Sequence, residues 1–388
     1  MFSRLRIDWL MFAIAAGLAL FGTLMVYSAS AVISAKETQG ATQFSYFYKQ
    51  LAFTLLGIAG MYIVSRFDYR KLQNEKVVYG LLAFTAVLLI AVFAFPEING
   101  ARRWIRFGGF SFQPSELAKI SLPIFLAYFL TKNEANVADI RTTVIKCVGV
   151  LTLLVALIFL EPDLGTATVL CAVFATVYFT AGANILHIAA LGATMVSLGV
   201  VAILIAPWRT VRVFAFLDPY THAADGAYQV VQSLYAIGSG GIFGEGYAMG
   251  QQKLFYLPYP YSDFIFSVVG EELGLIGTLT IVTAFGLLLW RGSRAALTAP
   301  DRFGTLLGIG LITGIIVQAL FNISVVISIV PAKGIPLPFI SYGGTSVVMT
   351  LISVGILLSI SERSGDPVVE SGIAEPSVHR RKAKKAYR

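Results

Sequence analysis

The chain is 388 residues long, 57% hydrophobic and only 13% charged. Soluble globular domains carry about 25% charged residues, so this composition excludes an ordinary water-soluble globule. The formal net charge of +8 calls for no nucleic-acid partner, because the excess base falls mainly in segments that a membrane topology places in the cytoplasm.

A helix needs about 20 apolar residues to cross about 30 Å of hydrocarbon. Such runs lie near 9–32, 47–65, 77–95, 116–131, 143–160, 166–183, 185–207, 263–290, 304–330 and 347–361. The expected fold class is an all-α polytopic membrane protein of about ten transmembrane helices, with a long extracytoplasmic loop between the seventh and eighth. Arg4 and Arg6 before the first run, with YSASA after it, imitate a signal peptide. The run exceeds the about 7–15 residues of a signal h-region, so it reads as an uncleaved helix.

An even number of spans puts both termini on one side, and Lys/Arg placement makes that side the cytoplasm. The segments then assigned inside carry Arg4, Arg6, Arg66, Arg70, Lys71, Lys76, Lys132, Arg141, Arg291, Arg294, Arg302 and the terminal HRRKAKKAYR. External segments carry about half as many. Residues 1–361 read as one membrane domain and 362–388 as a basic, disordered cytoplasmic tail. Cys147 and Cys171 fall in spans and match no metal or disulfide spacing. No nucleotide-binding glycine loop, HExxH or Ser/His/Asp pattern is present, and His187 on an apolar helix reads as structural.

The external segments depart from the charge rule in an informative way. Residues 99–120, NGARRWIRFGGFSFQPSELAKI, place Arg102, Arg103 and Arg106 outside, around Trp104. Arginine forks suit phosphate or carboxylate and the indole can stack on a sugar, while a lipid-headgroup anchor is the plainer alternative. Glu116 and Lys119 follow, three apart on one helix face; such a pair lets charge enter the membrane and marks a functional candidate. Glu161 and Asp163 in EPDLGTAT form an acidic turn that could hold a divalent cation or cap the next helix.

The longest external segment, 208–262, contains Asp218-Pro219, Asp225-Gly226 and a regular QVVQSLYAIG run that suggests a helix lying along the interface. At its end stands Asp263, at the lip of a span. A carboxylate there can serve as a base, or Ser262 and Asp263 can simply cap the helix. Glu271 and Glu272 lie deeper and must face a cavity or partner helices, and Gly270 and Gly274 allow close packing. The last external loop, 331–346, alternates proline and glycine, so its irregular backbone needs protein or a watered cavity around it. That cavity is the expected active site. Lys333, Ser341 and Tyr342 from the loop, with Gln318 and Asn322 one turn apart below it, are candidate substrate contacts.

Five motifs run in order between about residue 9 and residue 361: MVYSAS, FSFQPSELAK, EPDLGT, SDFIF with GEELGLIG, and PLPFISYGGTS. On them the chain resembles the shape, elongation, division and sporulation (SEDS) family. EPDLGT and GEELG look more like its FtsW division branch than its RodA elongation branch. The resemblance implies a peptidoglycan glycosyltransferase that polymerises lipid II, the undecaprenyl-pyrophosphate-linked disaccharide pentapeptide, outside the plasma membrane. The family's essential aspartate maps onto Asp263, and its acid and lysine at the fourth span map onto Glu116 and Lys119. Ser262 stands where the family usually has threonine, and Tyr261 where it has histidine or a similar polar residue.

The implied reaction is an inverting glycosyl transfer with Asp263 as base. The arginines, Lys119 or a divalent cation, Mg²⁺ or Mn²⁺, would offset the charge of the leaving pyrophosphate. The implied partners are a class B penicillin-binding protein and other divisome proteins. A lipid II flippase and a non-catalytic scaffold for the transpeptidase are the alternative functions.

Overall fold

The computed structural model describes residues 7–97, 100–107, 110–205, 210, 216–221, 227–331 and 333–364. Arg4, Arg6, the Asp225-Gly226 turn and the tail from 365 lie outside the described residues. All ten apolar runs are helices. In chain order they are α1 Trp9–Glu37, α2 Ser45–Arg66, α3 Glu75–Ala91, α4 Pro114–Lys132, α5 Ile145–Leu160, α6 Leu164–Thr180 and α7 Ile185–Ile205. A shorter helix, α8 Tyr228–Gly240, is followed by α9 Ile265–Leu297, α10 Arg302–Val326 and α11 Gly344–Glu362. Seven of them are long and apolar enough to span a membrane by length and composition, and α5 and α6 are shorter apolar helices. Helix α4 has 19 residues, about 28 Å of rise, with Glu116 and Lys119 in its first two turns. The chain is thus a polytopic helical membrane protein.

Helix starts are set by local chemistry. Asp8, Asn74, Asp163 and Asp301 accept hydrogen bonds from the backbone N–H of Met11, Lys76, Thr166 and Gly304 at 3.1, 2.9, 3.1 and 2.8 Å, which satisfies donors that the first turn leaves open. Ion pairs then tie the chain's described ends to one end of the bundle. Asp8 pairs with Arg291 at 2.6 Å and Arg363 with Asp68 at 3.5 Å, while Asp263 lies at the opposite end. Helices α4, α10 and α11 form the centre, and every residue of α4 from Ile120 to Leu130 is buried. Helix α7 packs against α6 on the perimeter, its described side chains half-buried or exposed.

Three details differ from the sequence reading. Residues 105–112 hold a short antiparallel pair, β1 Ile105–Phe107 and β2 Phe110–Phe112, with Arg106 opposite Ser111. The expected interfacial helix, α8, is packed into the protein instead: Val230, Val231, Ser233 and Ala236 are buried, and Ser233 Oγ donates to Val326 O at 2.8 Å. Finally, α9 starts at Ile265 and is broken at Gly274, whose φ is +65°. The turn after α8 docks at that break, with Glu245 N on Glu271 O at 2.9 Å and Leu275 N on Gly241 O at 2.9 Å. A Cβ on Gly274 would lie 2.4 Å from Gly244 N, so both the φ and the contact require glycine. The Gly270/Gly274 pair does permit close packing, but its partners are α8 and the turn after it.

Candidate active site

Asp263 and the 331–343 loop are stitched together by side chains that satisfy an irregular backbone. Asn322 Nδ2 donates to Asp263 O at 2.8 Å and Ile335 O at 2.7 Å, and Gln318 Nε2 donates to Pro336 O at 2.8 Å. Ser341 Oγ accepts from Leu337 N at 2.7 Å and donates to Ser262 O at 2.6 Å. Tyr342 N donates to Tyr261 O at 2.9 Å. Gln50 of α2 closes the ring, with Nε2 donating to Ser341 O and Oε1 accepting from Gly343 N, each at 3.3 Å. Gln318 Nε2, Asn322 Nδ2 and Ser341 Oγ are therefore bonded to protein backbone and support the loop.

The Asp263 side chain lies over the loop: a Cβ on Gly334 would come within 2.8 Å of its Oδ2. The N-cap of α9 is Phe264, and no side chain caps that helix. Neither Ser262 nor Asp263 does the capping that the plainer sequence reading assigned to them.

Below the loop, Glu116 and Lys119 form the expected ion pair at 2.6 Å, and Lys119 Nζ also donates to Gln318 Oε1 at 2.6 Å. A chain of contacts thus runs Glu116, Lys119, Gln318, Pro336 O. The cavity beside it, lined by Ile120, Leu311, Gly314 and Met349 among others, holds about 20 Å³, room for one water. In this structure the pair braces the loop through Gln318.

The arginine cluster divides. Arg103 directs Nε to Glu161 O at 2.8 Å and Nη2 to Pro162 O at 2.5 Å, so in this structure it braces the acidic turn. Arg102 is exposed and donates to Phe93 O at 3.2 Å. Arg106 is exposed on β1 and Trp104 half-buried beside it. Lys333 lies half-buried, its ammonium 5.8 Å from the Phe321 ring centre, and burial pushes its pKa below the ordinary lysine value.

Of the two acids in the turn, Asp163 is a helix cap, also bonded by Thr166 Oγ1 at 2.9 Å and Gln113 Nε2 at 3.2 Å. Glu161 is fully buried, and neither carboxyl oxygen has a hydrogen-bond partner. Burial, helped by Asp163 and opposed by Arg103, pushes it up to about 9, so it is neutral at pH 7. The turn abuts the loop at Gly165, where a Cβ would meet Ile335 at 2.3 Å. Asp163 is already committed as a helix cap, and among the described residues no group of three His, Cys, Asp or Glu side chains converges, a donor set too small for a resident divalent cation.

Glu271 and Glu272 are structural. Glu272 accepts from Ser28 Oγ at 2.6 and 2.8 Å and from Ala248 N at 2.9 Å, and pairs with Lys253 at 2.6 Å. Glu271 accepts from Gln251 N at 2.6 Å and Gln252 N at 3.0 Å. Together they hold the segment that leads to Asp263 against α1 and α9. Ser28, Gln50 and Lys253 were not singled out from the sequence, although Ser28 sits inside the MVYSAS motif and Lys253 is a cation in an otherwise apolar stretch.

A helical bundle with an acid and an irregular, fully braced loop at one end defines a polytopic membrane protein with a reaction-capable site near the lipid–water boundary. The chain belongs to the FtsW, RodA and SpoVE family, described as “Cell cycle protein”, whose pattern matches residues 8–365. It is 41% identical over 364 residues to “Probable peptidoglycan glycosyltransferase FtsW” of Geobacter metallireducens, covering 92% of this chain and 95% of that one. It is 38% identical over 358 residues to “Stage V sporulation protein E” of Bacillus subtilis, covering 92% and 97%. Among solved structures, it is similar to a chain from “Structural coordination of polymerization and crosslinking by a peptidoglycan synthase complex”, with TM-score 0.74, 27% identity and coverage of 93% and 99%. The rod shape determining protein RodA of Thermus thermophilus gives TM-score 0.68 at 26% identity, covering 93% and 99%.

Proposed function

We propose that this protein is a peptidoglycan glycosyltransferase that polymerises lipid II on the outer face of the plasma membrane, in septal wall synthesis, with a class B penicillin-binding protein as partner among other divisome proteins. The observation that carries the reading is Asp263: a carboxylate at one end of the bundle, held by its own backbone to Asn322, lying over a glycine and not used as a helix cap. The Asp263 end is then outside and both termini are cytoplasmic, in keeping with the Lys/Arg distribution.

In the reaction the acceptor 4-hydroxyl oxygen attacks the anomeric carbon of the growing chain while Asp263 takes its proton. The bond from that carbon to the pyrophosphate oxygen breaks, and the pyrophosphate leaves on its lipid. Arg102, Arg106 and Lys333 are among the cations at this end with no carboxylate partner among the described residues, and they would offset the leaving group's charge. Anion binding beside Lys333 would also restore the protonation that burial disfavours. Mg²⁺ or Mn²⁺, where required, would be carried largely by the substrate's phosphate oxygens, as is common for Mg²⁺.

The flippase alternative would need no carboxylate at Asp263 to take a proton from a hydroxyl. The test is chemical: purified protein with its transpeptidase partner is supplied with lipid II, and glycan strands are resolved by length. Strands made under these conditions support the enzyme. Their absence, with the partner bound, supports the scaffold.

A further inference from the structure

Beside Asp263, three tyrosines from three chain segments converge. Tyr46 opens α2, Tyr261 precedes Asp263 by two residues, and Tyr342 ends the braced loop. Their ring centres lie 4.8 Å apart for Tyr46 and Tyr261, 5.1 Å for Tyr46 and Tyr342, and 5.7 Å for Tyr261 and Tyr342. The Tyr342 N to Tyr261 O bond of 2.9 Å fixes two of the three, and all three side chains keep a share of surface. At their edge the Tyr46 hydroxyl contacts both carboxylate oxygens of exposed Glu37, at 2.8 and 3.0 Å. Burial pushes the Tyr261 and Tyr342 phenols up; Asp263 adds to this at Tyr261, and Arg106 opposes it at Tyr342, so both charges lie within electrostatic reach of the cluster.

An interfacial aromatic belt anchors through rings scattered around a bundle. It needs neither convergence from three segments nor a shared carboxylate. The chemistry here matches a neutral sugar ring. A pyranose presents a face of C–H groups to the negative face of an aromatic ring, and a rim of hydroxyls to a carboxylate whose remaining lone pairs accept them. Two carboxylates, Glu37 and Asp263, near one cluster disfavour a phosphate or an anionic headgroup there. We propose that Tyr46, Tyr261 and Tyr342, with Glu37 at their edge, form a saccharide subsite that takes a pyranose of the glycan next to the hydroxyl reacting at Asp263. This deepens the glycosyltransferase reading and rests on it for the identity of the physiological ligand.

The probe is chitotetraose, a soluble β-1,4-linked N-acetylglucosamine tetramer. It is titrated into the full-length, detergent-solubilised protein carrying Asp263→Asn, which prevents turnover, and binding is followed by saturation-transfer NMR. Binding with a Kd of about 10 mM or tighter is expected. Tyr46→Ala and Tyr342→Ala should weaken it about tenfold, and Glu37→Gln about threefold. Tyr46→Phe keeps the ring and should lose no more than Glu37→Gln does, with thermal melting checking that each variant is folded. No saturation transfer at about 10 mM, or equal affinity in folded Tyr46→Phe, Tyr46→Ala and parent, overturns the subsite. Failure of the wild type to polymerise lipid II would instead overturn the glycosyltransferase reading, and the saccharide titration would still judge the subsite by itself.

Discussion

Asp263 and the pair Glu271–Glu272 sit within ten residues of each other, yet the structure treats them differently. The two glutamates are saturated: Lys253, Ser28 and three backbone N–H groups surround them, and the break at Gly274 exists to bring that segment in. Asp263 is supported through its backbone, with its carboxylate lying over Gly334. An acid at membrane depth is either buried within the frame, as these two glutamates are, or keeps surface at the rim where a substrate can reach it, as half-buried Asp263 does. Seen this way, the GEELG motif anchors the segment that leads to Asp263, the proposed base.

Breaking the anchor should give the largest effect on stability. Lys253→Ala leaves Glu272 buried without its counter-charge, which costs about 3–5 kcal/mol, or about 5 °C in detergent melting for a chain of this size. The double variant Lys253→Met with Glu272→Gln should recover most of the loss. A Lys253→Ala protein that melts with the wild type would mean the latch carries no energy.

A smaller effect sharpens the other side of the comparison. Gly334→Ala puts a Cβ 2.8 Å from Asp263 Oδ2, so the carboxylate must shift while the fold stays intact. Polymerisation should fall about tenfold or more at unchanged melting temperature. Full activity in Gly334→Ala would show that the observed position of the carboxylate does not matter.

The helical runs were legible because 3.6-residue helices in hydrocarbon need long apolar stretches, and the Glu116–Lys119 pair was legible because charge in such stretches is costly. At Arg103 a sequence shows that a fork is present, not the two backbone carbonyls that Nε and Nη2 bond. The cap reading of Asp263 failed because the helix starts two residues later than its apolar run. The burial of α8 and the break at Gly274 depend on a docking turn distant in sequence, which no local pattern announces.

The bracing contacts of Arg103 carry their own prediction. Arg103→Lys keeps the charge but loses a two-pronged contact, so it should cost about 1.5–3 kcal/mol of stability and leave the half-saturating lipid II concentration unchanged. Arg106→Lys should do the reverse. A shift in half-saturation on Arg103→Lys, with no change in melting, would return Arg103 to the substrate.

The subtlest effect is a pH dependence. Glu161 has a folded-state pKa raised to about 9, against about 4.3 in an unfolded chain. Between those values the folded state holds a proton that the unfolded state lacks, so its contribution is fully present below about pH 4.3 and is lost as pH rises through about 9. Glu161→Gln removes that dependence, and the variant should gain melting temperature relative to wild type at pH 8 compared with pH 5. A difference between the two proteins that does not change with pH would mean that Glu161 is ionised in the fold.

The central claim is that Asp263 acts as the base while its neighbours hold the frame, and one substitution tests it most directly. Asp263→Asn keeps the side chain's size and its capping ability, since the two residues cap about equally, but the amide cannot take the acceptor's proton. Assayed with its transpeptidase partner on lipid II, the variant should lose about 10²- to 10⁴-fold in glycan polymerisation while melting and binding its partner as the wild type does. Polymerisation within a few-fold of wild type by folded, partner-bound Asp263→Asn would contradict the account.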